Sequence, residues 1–185
     1  MLEKISKFKV AEEQLITAIN LYFMDASPVS THTLARAAHE VLDQICAHKK
    51  LERSVVQQGL ETLVRVDKKK EFLTKINEAR NFFKHADKDP DSEGSIEWDP
   101  ELSSHYILDA VSLYRRITND KMPCELHSFF LWYRMKNPNM WGGTTAETEK
   151  LILEGQEILK SSKKQDVYKL LIEACALNKK SKSLI

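Results

Sequence analysis

Apolar residues recur at three- and four-residue intervals along almost the whole chain, the spacing that lines one face of an α-helix. Phe8, Leu15, Ile19 and Tyr22 or Phe23 predict a first helix over about residues 6–24, broken by Ser27-Pro28. A second begins near Ser30 or Thr31, with Leu34, Ala37, Ala38, Val41 and Ile45 as its expected buried stripe. Its alanines predict close approach to a neighbouring helix, and Lys49-Lys50 close it where cations suit the helix dipole. Val56, Leu60 and Leu63 mark a shorter helix over about 53–66. Lys68-Lys69-Lys70 open the next, whose Phe72, Ile76, Ala79 and Phe83 repeat at 4-3-4 intervals. Residues 87–100, rich in Asp, Pro, Ser and Gly, read as a loop with Trp98 folding back onto the helices. Tyr106, Ala110, Leu113 and Ile117 predict a helix over about 100–118, an aromatic stretch follows at 125–135, and two helices close the chain at about 146–161 and 165–176. No strand alternation and no internal repeat interrupts this pattern. The expected fold is all-α: an antiparallel helical bundle of about seven helices, in one domain over 1–185. Its core is expected over about 6–120, with a C-terminal helical extension over about 123–178.

Composition narrows the class without naming a function. A chain of 185 residues with 42% hydrophobic content can bury a core unaided by disulfides or metals. Five Gly and five Pro suit long elements with few turns. A net charge of +1 excludes a surface that holds long nucleic acid by general charge, though not a local basic cleft. No stretch approaches 18 apolar residues and the N-terminus mixes charge with apolar residues, so neither a membrane span nor a secretory signal is expected. A cytoplasmic location is the default expectation. Cys46, Cys124 and Cys175 are odd in number, far apart and outside any CxxC pair, and read as inert thiols.

Most familiar chemical motifs are missing. There is no Gly-rich phosphate loop, no GxSxG and no HExxH. Asp87-x-Asp89-x-Asp91 begins like a calcium loop, but Ser92 stands where the glycine belongs and Trp98 where the closing glutamate belongs. Neither cofactor nor metal is therefore expected. His32, Arg36, His39 and Asp43 recur at helical spacing beside Glu40. Such a stripe is a metal site, a polar wall of a cleft or, most commonly, a solvated face. Phe129, Phe130, Trp132 and Tyr133 suit a core or a dimer interface better than a platform for stacked bases.

The segment Arg80-Asn81-Phe82-Phe83-Lys84-His85 carries the sharpest chemistry. Arginine supplies fixed positive charge for a phosphorane-like transition state, and histidine moves protons near neutral pH. An Arg followed five to seven positions later by a His arises by chance roughly 0.7 times in a chain of this composition, so spacing alone carries no weight. The polar Asn81, the apolar residues between and the place of His85 at a helix end add to it. On one helix Arg80 and His85 lie about 140° apart, whereas Asn81 and His85 share a face. That geometry favours a site completed by a second copy.

Arg80-Asn81-x-x-Lys84-His85 resembles the signature of the HEPN superfamily, an Arg followed after four to six residues by a His, often with Asn directly after the Arg. The alanine-rich Leu34-Ala35-Arg36-Ala37-Ala38 about 45 residues earlier is similar too, and the likeness covers about residues 10–120. The resemblance implies a homodimer with two motifs facing across a cleft. It also implies metal-independent cleavage of RNA, in many members within toxin–antitoxin or antiphage systems, with an antitoxin or other protein as partner. Arg80 would hold and stabilise the scissile phosphate, His85 would act as general base or acid, and Asn81 would orient the phosphate or the histidine. Lys84, with Arg36 and His39 on the second helix, completes the expected substrate-binding set. Asp87 stands where one subfamily carries a modified tyrosine, which argues against that regulation. Some members are non-catalytic dimerisation, interaction or nucleotide-binding modules, and that is the alternative reading.

Overall fold

A computed structural model of the chain describes residues 2–84, 94–140 and 145–182. His85, the run from Asp87 to Ser92 and Trp141 lie outside them. All regular structure among the described residues is helical, as expected: α1 (Lys7–Phe23), α2 (Pro28–His48), α3 (Val55–Thr62), α4 (Lys69–Ile76), α5 (Glu78–Lys84), α6 (Leu102–Thr118), α7 (Cys124–Lys136), α8 (Ala146–Ser161) and α9 (Lys164–Lys182). Two single 3₁₀ turns, Val66–Lys68 and Pro138–Met140, join them. None of these helices is long and apolar enough to cross a membrane.

Local chemistry accounts for the boundaries. Ser6 Oγ accepts from Lys9 N–H at 3.1 Å and caps α1. Ser27 caps α2, and Pro28 takes the first helical position, where its missing N–H costs nothing. Asn119 adopts a left-handed φ of 50° and ends α6. The helix expected to run unbroken through the Arg80 segment is instead two. Asn77 Nδ2 donates to the Leu73 carbonyl at 2.8 Å, which also accepts Asn77 N–H at 3.2 Å. A side chain competing for the helix's own carbonyl loosens the ladder, and α5 starts afresh with Asn81 N–H donating to Asn77 O at 2.8 Å.

α2 packs most extensively against α1 and α6. Leu15, Ala18 and Ile19 of α1 meet Ala35, Ala38 and Leu42 of α2, and Ile107, Ala110 and Val111 of α6 complete that layer. The core does not stop near residue 120. Leu126, Phe129, Trp132 and Tyr133 of α7 and Val167 of α9 belong to the same buried cluster. Phe23 stacks on Tyr168 at 4.0 Å and sets its edge against Trp132 at 5.2 Å. The aromatic stretch is therefore core, the larger part of its sequence expectation. Trp98 does fold back, its ring centroid 5.2 Å from His32 and 5.0 Å from Phe83.

The buried face of α2 differs from expectation. Ala38 is buried as expected, but Leu34, Ala37, Val41 and Ile45 are only partly covered, while His32, Arg36, His39 and Asp43 are all buried. The polar stripe is not a solvated face. Each of its members finds a partner on another element, and that pairing tolerates the burial.

Candidate functional site

The seam between α2 and α5 gathers most of the residues singled out from the sequence. Arg80 projects from α5 and donates from Nη1 to Glu40 Oε2 of α2 at 2.7 Å, while its Nη2 lies 3.4 Å from Asn81 Oδ1. Arg80 is about three-quarters buried, whereas the Glu40 side chain is 55% exposed. Arg36 Nη2 donates to Asn77 Oδ1 at the break between α4 and α5. Its guanidinium carbon sits 4.2 Å from the Tyr106 ring centroid, and Tyr106 Oη donates to Ile76 O at 3.3 Å. Arg36 Nε has no hydrogen-bond partner among the described residues. Burial above all, with the nearby Arg80 charge adding to it, holds the Arg36 pKa below the ordinary guanidinium value. Two cations thus share this seam with one exposed carboxylate between them.

Beside the seam lies a groove of about 590 Å³. Ala37, Val41 and Ile45 line it, and Lys7, Glu40 and Lys84 are among its polar residues. Lys84 is exposed and falls one turn after Arg80 on α5. The arrangement offers an apolar surface with cations at its rim. It suits a ligand that carries phosphate or carboxylate beside a flat or apolar group.

The rest of the α2 stripe is committed inward. His39 Nε2 donates to Asp109 Oδ2 of α6 at 2.9 Å, and the same carboxylate accepts Val55 N–H at 3.1 Å. Asp43 accepts Ser54 N–H at 2.8 Å and pairs with the Arg53 guanidinium. Burial alone would raise the Asp43 pKa, but the Arg53 fork and the Ser54 N–H outweigh it and hold the carboxyl below its ordinary range. Among the described residues no three His, Cys, Asp or Glu side chains converge as metal ligands.

His32 is boxed by Phe83, Trp98 and Tyr106, and its Nδ1 shares a 3.3 Å hydrogen bond with Ser103 Oγ. Burial first, and the Arg36 charge second, pull its imidazole down to about 4. Folded His32 stays neutral at pH values where an unfolded histidine, titrating near 6.5, takes up a proton. Above that value it takes nothing from stability; as pH falls toward 4 the unfolded state gains protons and stability is lost. The expected loss is about 2 kcal/mol between neutral pH and pH 5. Urea melts across this window, wild type beside His32→Gln, should show a flatter slope for the variant. Coincident slopes would remove His32 from the account.

The structure therefore brings Arg80, Asn81 and Lys84 to one seam, sets Arg36 behind them, and sends His39 to Asp109 instead. Arg36 and His39, expected at the substrate, are each only 5% exposed. Interior partners across α6 and the α4–α5 break hold them there. Asn77 and Asp109 were missed by sequence reasoning. Asn77, Arg80, Asn81 and Lys84 form an i, i+3, i+4, i+7 polar stripe that was there to be read. A lone acid between Leu108 and Ala110 in an apolar helix was the signal for Asp109. The chain matches no family model, no curated protein and no solved structure.

Proposed function

We propose that this chain is a HEPN-type endoribonuclease, an antiparallel helical bundle that works as a homodimer on RNA in the cytoplasm, within a toxin–antitoxin or antiphage system. The observation that carries the reading is the Arg80–Glu40 contact across the α2–α5 seam. It ties a guanidinium to Glu40, which lines the groove together with Lys84, and this carboxylate partner is more than half exposed. A phosphate oxygen can replace such a carboxylate on the same guanidinium fork. In the proposed reaction His85 takes the proton of the RNA 2′-hydroxyl and the 2′-oxygen attacks phosphorus. The 5′-oxygen leaves with a proton from an acid, the corresponding histidine of the second copy. Arg80 stabilises the charge that gathers on the phosphoryl oxygens, and Asn81 steadies its guanidinium. The products are a 2′,3′-cyclic phosphate and a free 5′-hydroxyl, with no group required beyond these side chains.

One observation favours the second reading, a non-catalytic interaction module. Arg80 has a carboxylate partner within its own chain, as a purely structural arginine would. Purified protein incubated with total RNA in EDTA separates the two. Cleavage by wild type, lost in Arg80→Ala and His85→Ala at unchanged folding and oligomeric state, supports the nuclease. Equal cleavage by all three proteins, or none by wild type, turns the reading to the interaction module.

A further inference from the structure

Cys124 and Cys175 lie far apart in sequence, yet the fold makes them neighbours. Cys124 opens α7, Cys175 sits within α9, and these two helices pack along one another. A separate contact holds their register at this point. Lys179, one turn beyond Cys175, donates from Nζ to the Met122 carbonyl, two residues before Cys124, at 2.7 Å. At this level the Cys175 thiol lies near enough to the Cys124 side chain to be perturbed by it. Both thiols are free and partly exposed, and Cys175 lines a surface cavity of about 460 Å³ that a small oxidant can enter. Cys46 is different: fully buried, its thiol spent on the Leu113 carbonyl at 3.8 Å.

We propose that Cys124 and Cys175 form a modification site, a thiol pair that hydrogen peroxide converts to an intramolecular disulfide joining α9 to α7. The Cys124 thiolate attacks one peroxide oxygen, the O–O bond breaks, and with one proton the products are a sulfenic acid and water. Cys175 sulfur then attacks the sulfenic sulfur and the S–O bond breaks. The Cys175 proton and the departing hydroxyl leave as a second water. Two thiols lose two electrons in all, and one peroxide becomes two waters. Burial first, and the adjacent Cys124 second, push the Cys175 thiol up to about 11, so it keeps its proton and acts as the resolving partner. The packing of α9 on α7 and the Lys179–Met122 contact set the two cysteines side by side, the arrangement a disulfide requires. Toward its start α9 is anchored by Val167 in the core and by Tyr168, whose Oη donates to Asn20 Oδ1 at 2.9 Å. The disulfide would fasten its later half as well.

The test treats the full reduced chain with a small molar excess of hydrogen peroxide, followed by thiol alkylation and peptide mapping. The expected product is a monomer lighter by about 2 Da, two hydrogens, with a linked peptide pair joining Cys124 to Cys175. Cys124→Ser and Cys175→Ser should each abolish that pair. Peroxide consumption should slow roughly tenfold or more in Cys124→Ser alone, because thiolate is the reacting form. A wild-type chain that stays reduced, stops at sulfinic acid on a single cysteine, or links between chains would overturn the proposal.

Discussion

Under the proposed nuclease function, replacing Arg80 with alanine is expected to lower RNA cleavage by roughly 10²–10³-fold while changing unfolding free energy by about 1 kcal/mol or less. The two magnitudes separate the readings of this residue. As structure, the Arg80–Glu40 contact is an ion pair with one exposed partner, a class worth little because water already solvates the exposed carboxylate. As chemistry, a fixed donor aimed at phosphoryl charge is worth several kcal/mol in the transition state alone. Arg80→Lys keeps the charge but loses the two-pronged fork, so it should recover only part of the activity. Glu40→Gln removes the competing carboxylate and should raise kcat/KM severalfold at low salt, with folding intact. A nuclease indifferent to both Arg80→Ala and Glu40→Gln would place catalysis elsewhere. If Arg80→Ala instead unfolds the chain and leaves the specific activity of the folded fraction untouched, Arg80 is structural.

The helical class was legible because amphipathic helices write their period directly into the order of apolar residues. α1 and α6 carry buried Leu15, Ile19 and Leu113 where that period places them. α2 was misread for a physical reason. Its period is shared by two stripes, Leu34-Ala37-Ala38-Val41-Ile45 and His32-Arg36-His39-Asp43, and hydropathy favours the first, of which only Ala38 is fully buried. Burial is decided by partners, and those of the second stripe lie outside its own helix: Ser103 for His32, Asn77 and Tyr106 for Arg36, Asp109 for His39, Arg53 and Ser54 for Asp43. Periodicity reports that a side chain is polar and says nothing of what will satisfy it.

The same limit applies at the seam. A contact between Glu40 and Arg80 could be anticipated once α2 and the Arg80 helix were set side by side, and the structure has that contact. The break at Asn77 was not anticipated, because asparagine only competes for a carbonyl when its side chain turns back onto the helix. That break matters for the site. It lets Asn77 face Arg36 while α5 presents Arg80 and Lys84 beside α2. The neighbouring thiols are a further case: no spacing rule joins Cys124 to Cys175, since only the packing of α7 on α9 brings them together.

Asp109→Ala is expected to cost about 2–5 kcal/mol, because it leaves two donors without their acceptor at about 1–3 kcal/mol each. The carboxylate is 8% exposed and serves two elements at once, His39 of α2 and the first N–H of α3. Without it the His39 imidazole is buried with no acceptor for its Nε2–H, and the Val55 N–H is orphaned at a cost of about 1–3 kcal/mol. The helix it anchors has only eight residues, too few to persist in water alone. It depends on its N-terminal ties: Ser54 Oγ to Gln57 N–H, Asp43 to Ser54 N–H, and Asp109 to Val55 N–H. Asp109→Asn retains one oxygen acceptor and should cost about half as much. Asp67→Ala is the surface control, because its pair with Arg65 is mostly exposed, and it should cost under about 1 kcal/mol. Urea denaturation of the three variants orders these values, and amide exchange over residues 55–62 should accelerate in Asp109→Ala alone. A loss no larger than the Asp67 control would mean that α3 is held by its apolar contacts and that the dyad is incidental. The effect should also reach the seam. His39 sets its ring against Tyr106, which carries Arg36 and bonds the Ile76 carbonyl at the end of α4. If that seam is the catalytic site, activity per folded molecule should fall in Asp109→Ala and stay level in Asp67→Ala.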